Sequence, residues 1–468
     1  DISHSLICLI YTNVGIFSKE ANRSKKTRTS FSGNTYMFFE KDVHVFPESL
    51  SYLCGLIQTR RKMDYIAHTL SNGLRMVHLP VNSPVSYCGF AVNAGTRDEN
   101  EDEFGLAHFV EHMIFKGTEK RKAWHILNRM ENVGGELNAY TTKEETFVYS
   151  IFMEEDFGRA FELLTDLVFH SQFPKQEIEK EVDVILDEIN SYEDSPSELI
   201  FDEFENLLYK GHALGHNILG DEESLLRFDS ESGRSFMRRF YAPENMVFFS
   251  MGRKDFKKIL KSAESALSDI SFPMAERIRK APDPIEACVR QIHKDTHQAH
   301  VLIGGRAFSM HDKKRIPLFL LNNILGGPGM NNRLNVSLRE KHGLVYNVES
   351  NITSYTDTGL ASIYFGTDPK NREKAMRLVH KELARLRDVK LSATQLAAAK
   401  KQVIGQLGVS GDNREGLFLG LGKSYLHYNR YDTLPEVFAQ IEKITAGQIL
   451  DVANEVLAPE RLFCLIYE

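Results

Sequence analysis

Tryptophan and cysteine are both scarce in this chain: 468 residues hold one Trp and five Cys. Cys8, Cys54, Cys88, Cys288 and Cys464 lie far apart, are odd in number and form no Cys-x-x-Cys. That excludes a disulfide framework and a cysteine-built metal site, and it fits a reducing compartment. Long apolar runs are missing too. The nearest, SLICLIYTNVGIF, is interrupted by polar residues and falls short of the roughly 18 residues a membrane span needs. No basic segment precedes it, so it does not read as a signal peptide. The expectation is a cytoplasmic protein with no membrane partner. An excess of basic residues is also lacking. A net charge of −7 argues against nucleic acid as a partner, because a phosphate backbone calls for a basic surface.

Residues 1–62 differ from the rest of the chain. The stretch SKEANRSKKTRTSFSGNT is polar and basic without a sustained period, which predicts a disordered extension outside any domain. Two readings of it stand: Met63 is the natural start and 1–62 lies upstream of it, or 1–62 is a flexible regulatory arm. From Met63, MDYIAHTLSNGLRMVHLP predicts a strand, a turn at Asn72-Gly73 and a second strand.

One order of elements then appears twice. In the first copy a helix at EFGLAHFVEHMIFKG is followed by one near WHILNRMENVGG, an alternating strand ELNAYTTKEETFVYSIFM, and two helices, RAFELLTDLVFHS and PKQEIEKEVDVILDEINSY. The second copy runs from a strand at AHVLIGGRAF through helices at PLFLLNNILGG and MNNRLNVSLREKHG. Strands follow within VYNVESNITSYTDTGLASIYFGT, then helices at REKAMRLVHKELARLRD and SATQLAAAKKQVIGQLG. A repeat of this length predicts duplication. The predicted class is α+β, with two homologous domains at 63–271 and 292–468, each a mainly antiparallel sheet covered by helices. The proline-bearing stretch 272–291 is the expected linker.

Chemistry concentrates in the first of these helices. At 100° per residue, His112 falls about 40° to one side of His108 and Glu111 about 60° to the other. Leu106, Phe109, Val110, Met113 and Ile114 fall opposite. Imidazoles at i and i+4 can hold one Zn²⁺, while Glu111 is displaced toward a water at the metal. On the helix at 174–192, Glu181 and Glu188 border the apolar stripe Ile178, Val182, Ile185 and Ile189. A carboxylate there is costly to bury unless it meets a cation, and a catalytic zinc wants a third protein ligand. A lone His-x-x-x-His is more often a solvated helix face. The Glu beside the second His, with the downstream carboxylates, favours the metal. HALGH at 212–216 has the same His spacing, but its glycines predict a loop and it is left out of the site.

HFVEH, FKGT, GGELNAYTT and EKEVDVILDEI together resemble the inverted-motif zinc peptidases of the insulinase and pitrilysin family. The likeness is nearest to its two-domain bacterial members, which resemble mitochondrial processing peptidase. It covers most of the chain from Met63 onward and has no counterpart for 1–62. It implies a zinc metalloendopeptidase with one Zn²⁺ per chain, His108, His112 and Glu188 as ligands and Glu181 supporting them. Glu111 is then the general base. It also implies that Asn138 and Ala139 lie on an edge strand that binds peptide substrates through backbone hydrogen bonds. Arg339 and Tyr346 match a pair that reaches the substrate from the second domain. Four such domains around a chamber imply a homodimer, since this chain carries two domains and both residue sets. The alternative is a non-catalytic structural or assembly subunit, which typically lacks zinc-site residues. The loop LGGPGMNN lacks the lysine-serine ending of a P-loop, which argues against nucleotide binding.

Overall fold

The computed structural model describes residues 65–272, 279–294 and 296–468. The extension expected over 1–62 and the start expected at Met63 therefore lie outside the described residues. In chain order the first half contains β1 (Ile66–Thr69), β2 (Arg75–Pro80), β3 (Val85–Val92), α1 (Leu106–Met113), α2 (Ala123–Glu131), β4 (Glu136–Thr141), β5 (Thr146–Met153), α3 (Phe157–His170), α4 (Lys175–Glu193), α5 (Pro196–Leu208), α6 (Glu222–Leu225), α7 (Ser230–Phe240), β6 (Met246–Gly252) and α8 (Phe256–Leu267). The second half contains β7 (Val289–Ile292), β8 (Ala299–Ala307), α9 (Arg315–Gly326), a π-helical turn (Asn335–Glu340), β9 (Val345–Ser354), β10 (Gly359–Thr367), α10 (Arg372–Asp388), α11 (Ala393–Ser410), α12 (Arg414–Tyr428), α13 (Leu434–Glu442), α14 (Ala446–Val456) and β11 (Phe463–Tyr467).

The architecture is α+β, with two sheets covered by helices. The first sheet runs β1-β2-β6-β3-β5-β4 and the second β7-β11-β8-β10-β9. Without β1 the two orders correspond strand for strand. Each sheet has one parallel pair, β2/β6 and β7/β11, and is otherwise antiparallel. The duplication read from element order is therefore present in topology as well. Among the described residues β4 and β9 are the matching edge strands.

Three local expectations need correction. ELNAYTTKEETFVYSIFM is a hairpin of β4 and β5, not one strand. Its tip turns because the Thr142 hydroxyl accepts the Glu144 and Glu145 amides and the Thr142 amide donates to the Glu145 carbonyl. The helix expected over MNNRLNVSLREKHG is present over 333–340 but is π-wound from Asn335 to Glu340, ending in wide-ring bonds such as Lys341 N to Val336 O and Leu344 N to Leu338 O. Strand β7 takes Val289–Gln291 from the expected linker, pairing in parallel with β11.

The sequence predicts helices that cover each sheet from within its own half. The halves instead exchange helices. In the first half α5 packs on the second sheet, placing Ile200, Phe204 and Leu208 against Leu302, Phe463 and Leu465. In return α12, apolar around most of its circumference, covers the first sheet with Leu417, Phe418, Leu421 and Tyr425. Phe418 stacks on Phe249 at 4.4 Å between ring centroids and also meets Tyr87 and Tyr149. Gly422 lets the helix come this close, since a Cβ there would sit 2.8 Å from the Phe249 ring. Arg75 donates to the carbonyls of Tyr425 and Leu426 at the end of α12.

The two hairpin tips meet across the same interface. Glu144 at the β4–β5 tip accepts Thr356 N (2.8 Å) and Thr356 Oγ1 (2.6 Å) from the β9–β10 tip. Arg97 bridges Glu144 (2.6 Å) and Asp357 (2.8 and 2.6 Å). Next along the tip, Glu145 pairs with Lys423 and His427 of α12. Burial pushes the Glu145 carboxyl up, but the charges of Lys423 and then His427 outweigh it and hold it at about 2.

Exchange predicts that the halves unfold together. Phe418→Ala should cost about 3–5 kcal/mol, and calorimetry should show one transition at lower temperature. Two separated transitions, only one of them shifted, would contradict it.

Candidate metal centre

The start of the helix carrying the motif is fixed by a glycine. Gly105 caps it in the left-handed region, at φ 92°. A Cβ there would also approach the Leu219 carbonyl to 2.6 Å, so the position suits glycine alone. Leu106, Phe109, Val110, Met113 and Ile114 are all buried at 1 % exposure or less, as the helical wheel predicts. The opposite face holds His108, Glu111 and His112. It meets α4, a helix of nineteen residues that buries Ile178 and Ile185 and turns Glu181 and Glu188 toward α1.

Among the described residues, one set of His, Cys, Asp or Glu side chains gathers as metal ligands do: His108, His112 and Glu188, with ligand atoms within 4.8 Å of one another. Glu188 Oε2 lies 3.7 Å from His108 Nε2 and 3.5 Å from His112 Nε2. Tetrahedral bonds of about 2.0–2.1 Å set ligand atoms roughly 3.3–3.4 Å apart, so the set fits a zinc-sized cation with little movement. The two imidazole rings stand edge to face, 4.5 Å apart.

His112 is held from behind. Its Nδ1 meets Glu181 Oε1 at 2.9 Å, which leaves Nε2 facing Glu188. The other Glu181 oxygen meets Lys116 Nζ at 2.5 Å. Burial alone would lower the His112 pKa, but hydrogen bonds to Glu181 and Glu188 and the charge of Glu111 raise it to about 9. Burial likewise pushes Glu181 up, and its bonds to His112 and Lys116 override that to bring it down.

The burial argument made from sequence holds for Glu181, which is 6 % exposed. It does not hold for Glu188, whose side chain is 40 % exposed. The cations that offset Glu181 are His112 and Lys116. Sequence reasoning missed Lys116, although it stands one turn beyond His112. It missed Glu99 as well. That carboxylate is buried below the helix start, where it accepts the amides of Gly105 (3.0 Å) and Ala107 (2.7 Å).

Glu111 is half-buried on the metal-facing side of α1. Its charge reaches the buried Tyr241 hydroxyl, which burial first and Glu111 second shift upward. Asn138 and Ala139 lie half-buried on β4, which among the described residues pairs only with β5. Arg339 and Tyr346 come together with each other, the guanidinium 5.5 Å from the ring centroid. Tyr346 is 83 % exposed, and among the described residues neither bonds to the metal-site side chains. HALGH is a loop away from the ligands: His212 bonds the Lys280 carbonyl and His216 bonds Glu99.

The chain is thus a duplicated α+β fold whose first half gathers a His-His-Glu set able to hold a metal. Sequence comparison specifies its family. Residues 77–222 match the family described as insulinase (peptidase family M16), and 227–403 match the peptidase M16 inactive domain. An uncharacterized zinc protease of Bacillus subtilis is 31 % identical over 407 residues, covering 85 % of this chain and 97 % of that protein. One from Rickettsia felis is 31 % identical over 399 residues, covering 85 % and 96 %. A protease from Helicobacter pylori has the same fold, with TM-score 0.79, 21 % identity and coverage of 87 % of this chain and 100 % of that one. The chain belongs to the insulinase family, peptidase family M16.

Glu181→Gln keeps the shape of the side chain and removes its charge behind His112. Zinc affinity, read by competition with a chromophoric chelator, should fall about 10–100-fold. An unchanged affinity would show that Glu181 does not support the ligand.

Proposed function

We propose that the protein is a zinc metalloendopeptidase that hydrolyses peptide bonds of short or unfolded peptides. The observation that carries this reading is the cluster of His108, His112 and Glu188, with the half-buried Glu111 beside it on the same face of α1. His108, His112 and Glu188 would hold one zinc per chain, with Glu181 fixing the tautomer of His112. Zinc bound there supplies Lewis acidity, which acidifies water and polarises a carbonyl. Glu111 takes the proton of the attacking water and returns one to the leaving amine. No covalent enzyme intermediate is required.

Substrate would add as a strand along the edge of β4, past Asn138 and Ala139, through backbone bonds that demand little of its sequence. Arg339 would bond a substrate carbonyl, and the exposed Tyr346 hydroxyl would steady charge on the oxygen under attack. Neither residue bonds the metal-site side chains among the described residues, so in this reading substrate would bridge the two sets. The assembly would be a homodimer of four domains around a chamber. Light scattering after size exclusion should give twice the chain mass; a monomer at working concentration would count against it.

The decisive experiment compares wild type with Glu111→Gln, both loaded with Zn²⁺, on a quenched fluorescent peptide library. Activity should fall on the order of a hundredfold or more, with zinc content unchanged. Cleavage by neither protein would favour a non-catalytic subunit.

A further inference from the structure

His216 belongs to the histidine pair whose spacing imitates a metal motif, yet it touches no metal ligand. Its imidazole Nε2 lies 2.9 Å from Glu99 Oε2. The Glu99 side chain is fully buried, and its two oxygens also take the amides of Gly105 and Ala107, the second of which directly precedes His108. The ring is fixed from the side by Phe104, parallel to it at 4.1 Å. The His216 carbonyl, meanwhile, accepts Lys143 Nζ. Lys143 is 4 % exposed and sits in the hairpin tip two residues after β4 ends. One residue therefore grips the start of the metal helix with its side chain and the end of the substrate strand with its backbone.

We propose that His216 is a positioning residue that fixes the metal helix α1 relative to the edge strand β4, acting through Glu99 on one side and Lys143 on the other. The proposal rests on the peptidase reading above and adds a determinant to it. A carboxylate at a helix N-terminus favours the exposed amides there but does not fix where the helix points. A third bond to the same carboxylate removes that freedom. Burial, then the nearby Lys143 charge, hold the His216 pKa at about 3, and burial also pushes the Glu99 carboxyl up, so a neutral ring and Glu99 share one hydrogen bond at 2.9 Å. Catalysis depends on such placement, because small errors in the distance between reacting groups cost large factors in rate.

Two substitutions separate the two grips. His216→Phe keeps the ring against Phe104 and the carbonyl to Lys143 but cannot bond Glu99. Zinc affinity by chelator competition should fall about tenfold, as for other residues behind a ligand, and kcat should fall with KM within about twofold. His216→Gln, whose amide reaches about as far as Nε2, should recover most of both losses. Lys143→Met loosens only the strand, so KM should rise while zinc affinity stays within about twofold. If His216→Phe does not fold, Glu99→Gln should show the same fall in zinc affinity. The idea is overturned if zinc affinity is unchanged in His216→Phe, or in Glu99→Gln where that replaces it. It is overturned too if Gln restores nothing, or if Lys143→Met lowers zinc affinity as much as His216→Phe. Zinc binding needs no substrate, so a chain that binds zinc and cleaves nothing would end the peptidase reading while leaving the helix grip measurable.

Discussion

The buried grip between the two hairpin tips is the constraint on which the rest depends. Arg97 and Glu144 are 4 % and 3 % exposed, and charges so placed are costly unless every bond is made. Here they are made. Arg97 spans Glu144 and Asp357, and Glu144 takes both donors of Thr356. Arg279 adds a two-pronged pair to Asp98 and a bond to the Glu144 carbonyl. Moving one half against the other would strand several charges at once. That stiffness reaches the site directly, because the same tip ends the edge strand β4 and lies one residue from Lys143. The exchanged helices add apolar area to a geometry the charges have already set.

Much of this was legible in the sequence, and the reasons are local. The apolar face of α1 and the polar triad opposite follow from a 3.6-residue period, which a helix must obey. The turn at Asn72-Gly73 and the repeated order of elements carry equally local signals. What sequence could not supply was partnership across distance. Nothing near Glu99 in the chain marks it as an anchor for the metal helix, since its amides and its histidine become neighbours only on folding. The hairpin read as one strand shows the same failure. Lys143-Glu144-Glu145 reads as part of one strand, because the partners that hold the turn, the His216 carbonyl, Arg97 with Thr356, and Lys423 with His427, lie far off in the chain. Glu188 was found by a burial argument that properly belongs to Glu181.

Duplication has left the halves alike in frame and unlike in chemistry. α9 stands where α1 stands in the topology, yet its sequence RIPLFLLNNILG carries neither histidine nor glutamate. Asn322 bonds Ser350 on β9 instead, tying the helix to its sheet. The second half thus keeps the scaffold and an edge strand while contributing α12 and the tip around Thr356 to the first.

The helix exchange also has a bearing on synthesis. The first sheet is complete once β6 has been made, but the face formed by Val77, Leu79, Tyr87, Phe147, Tyr149 and Phe249 has no cover until residues 414–428 follow. At about 5–20 residues per second, a nascent chain carries that apolar face for roughly ten to thirty seconds. Sheets in this condition are prone to stick to one another. A chain built this way needs shelter on the ribosome for its first half, because the first half's own lid is among the last parts to arrive.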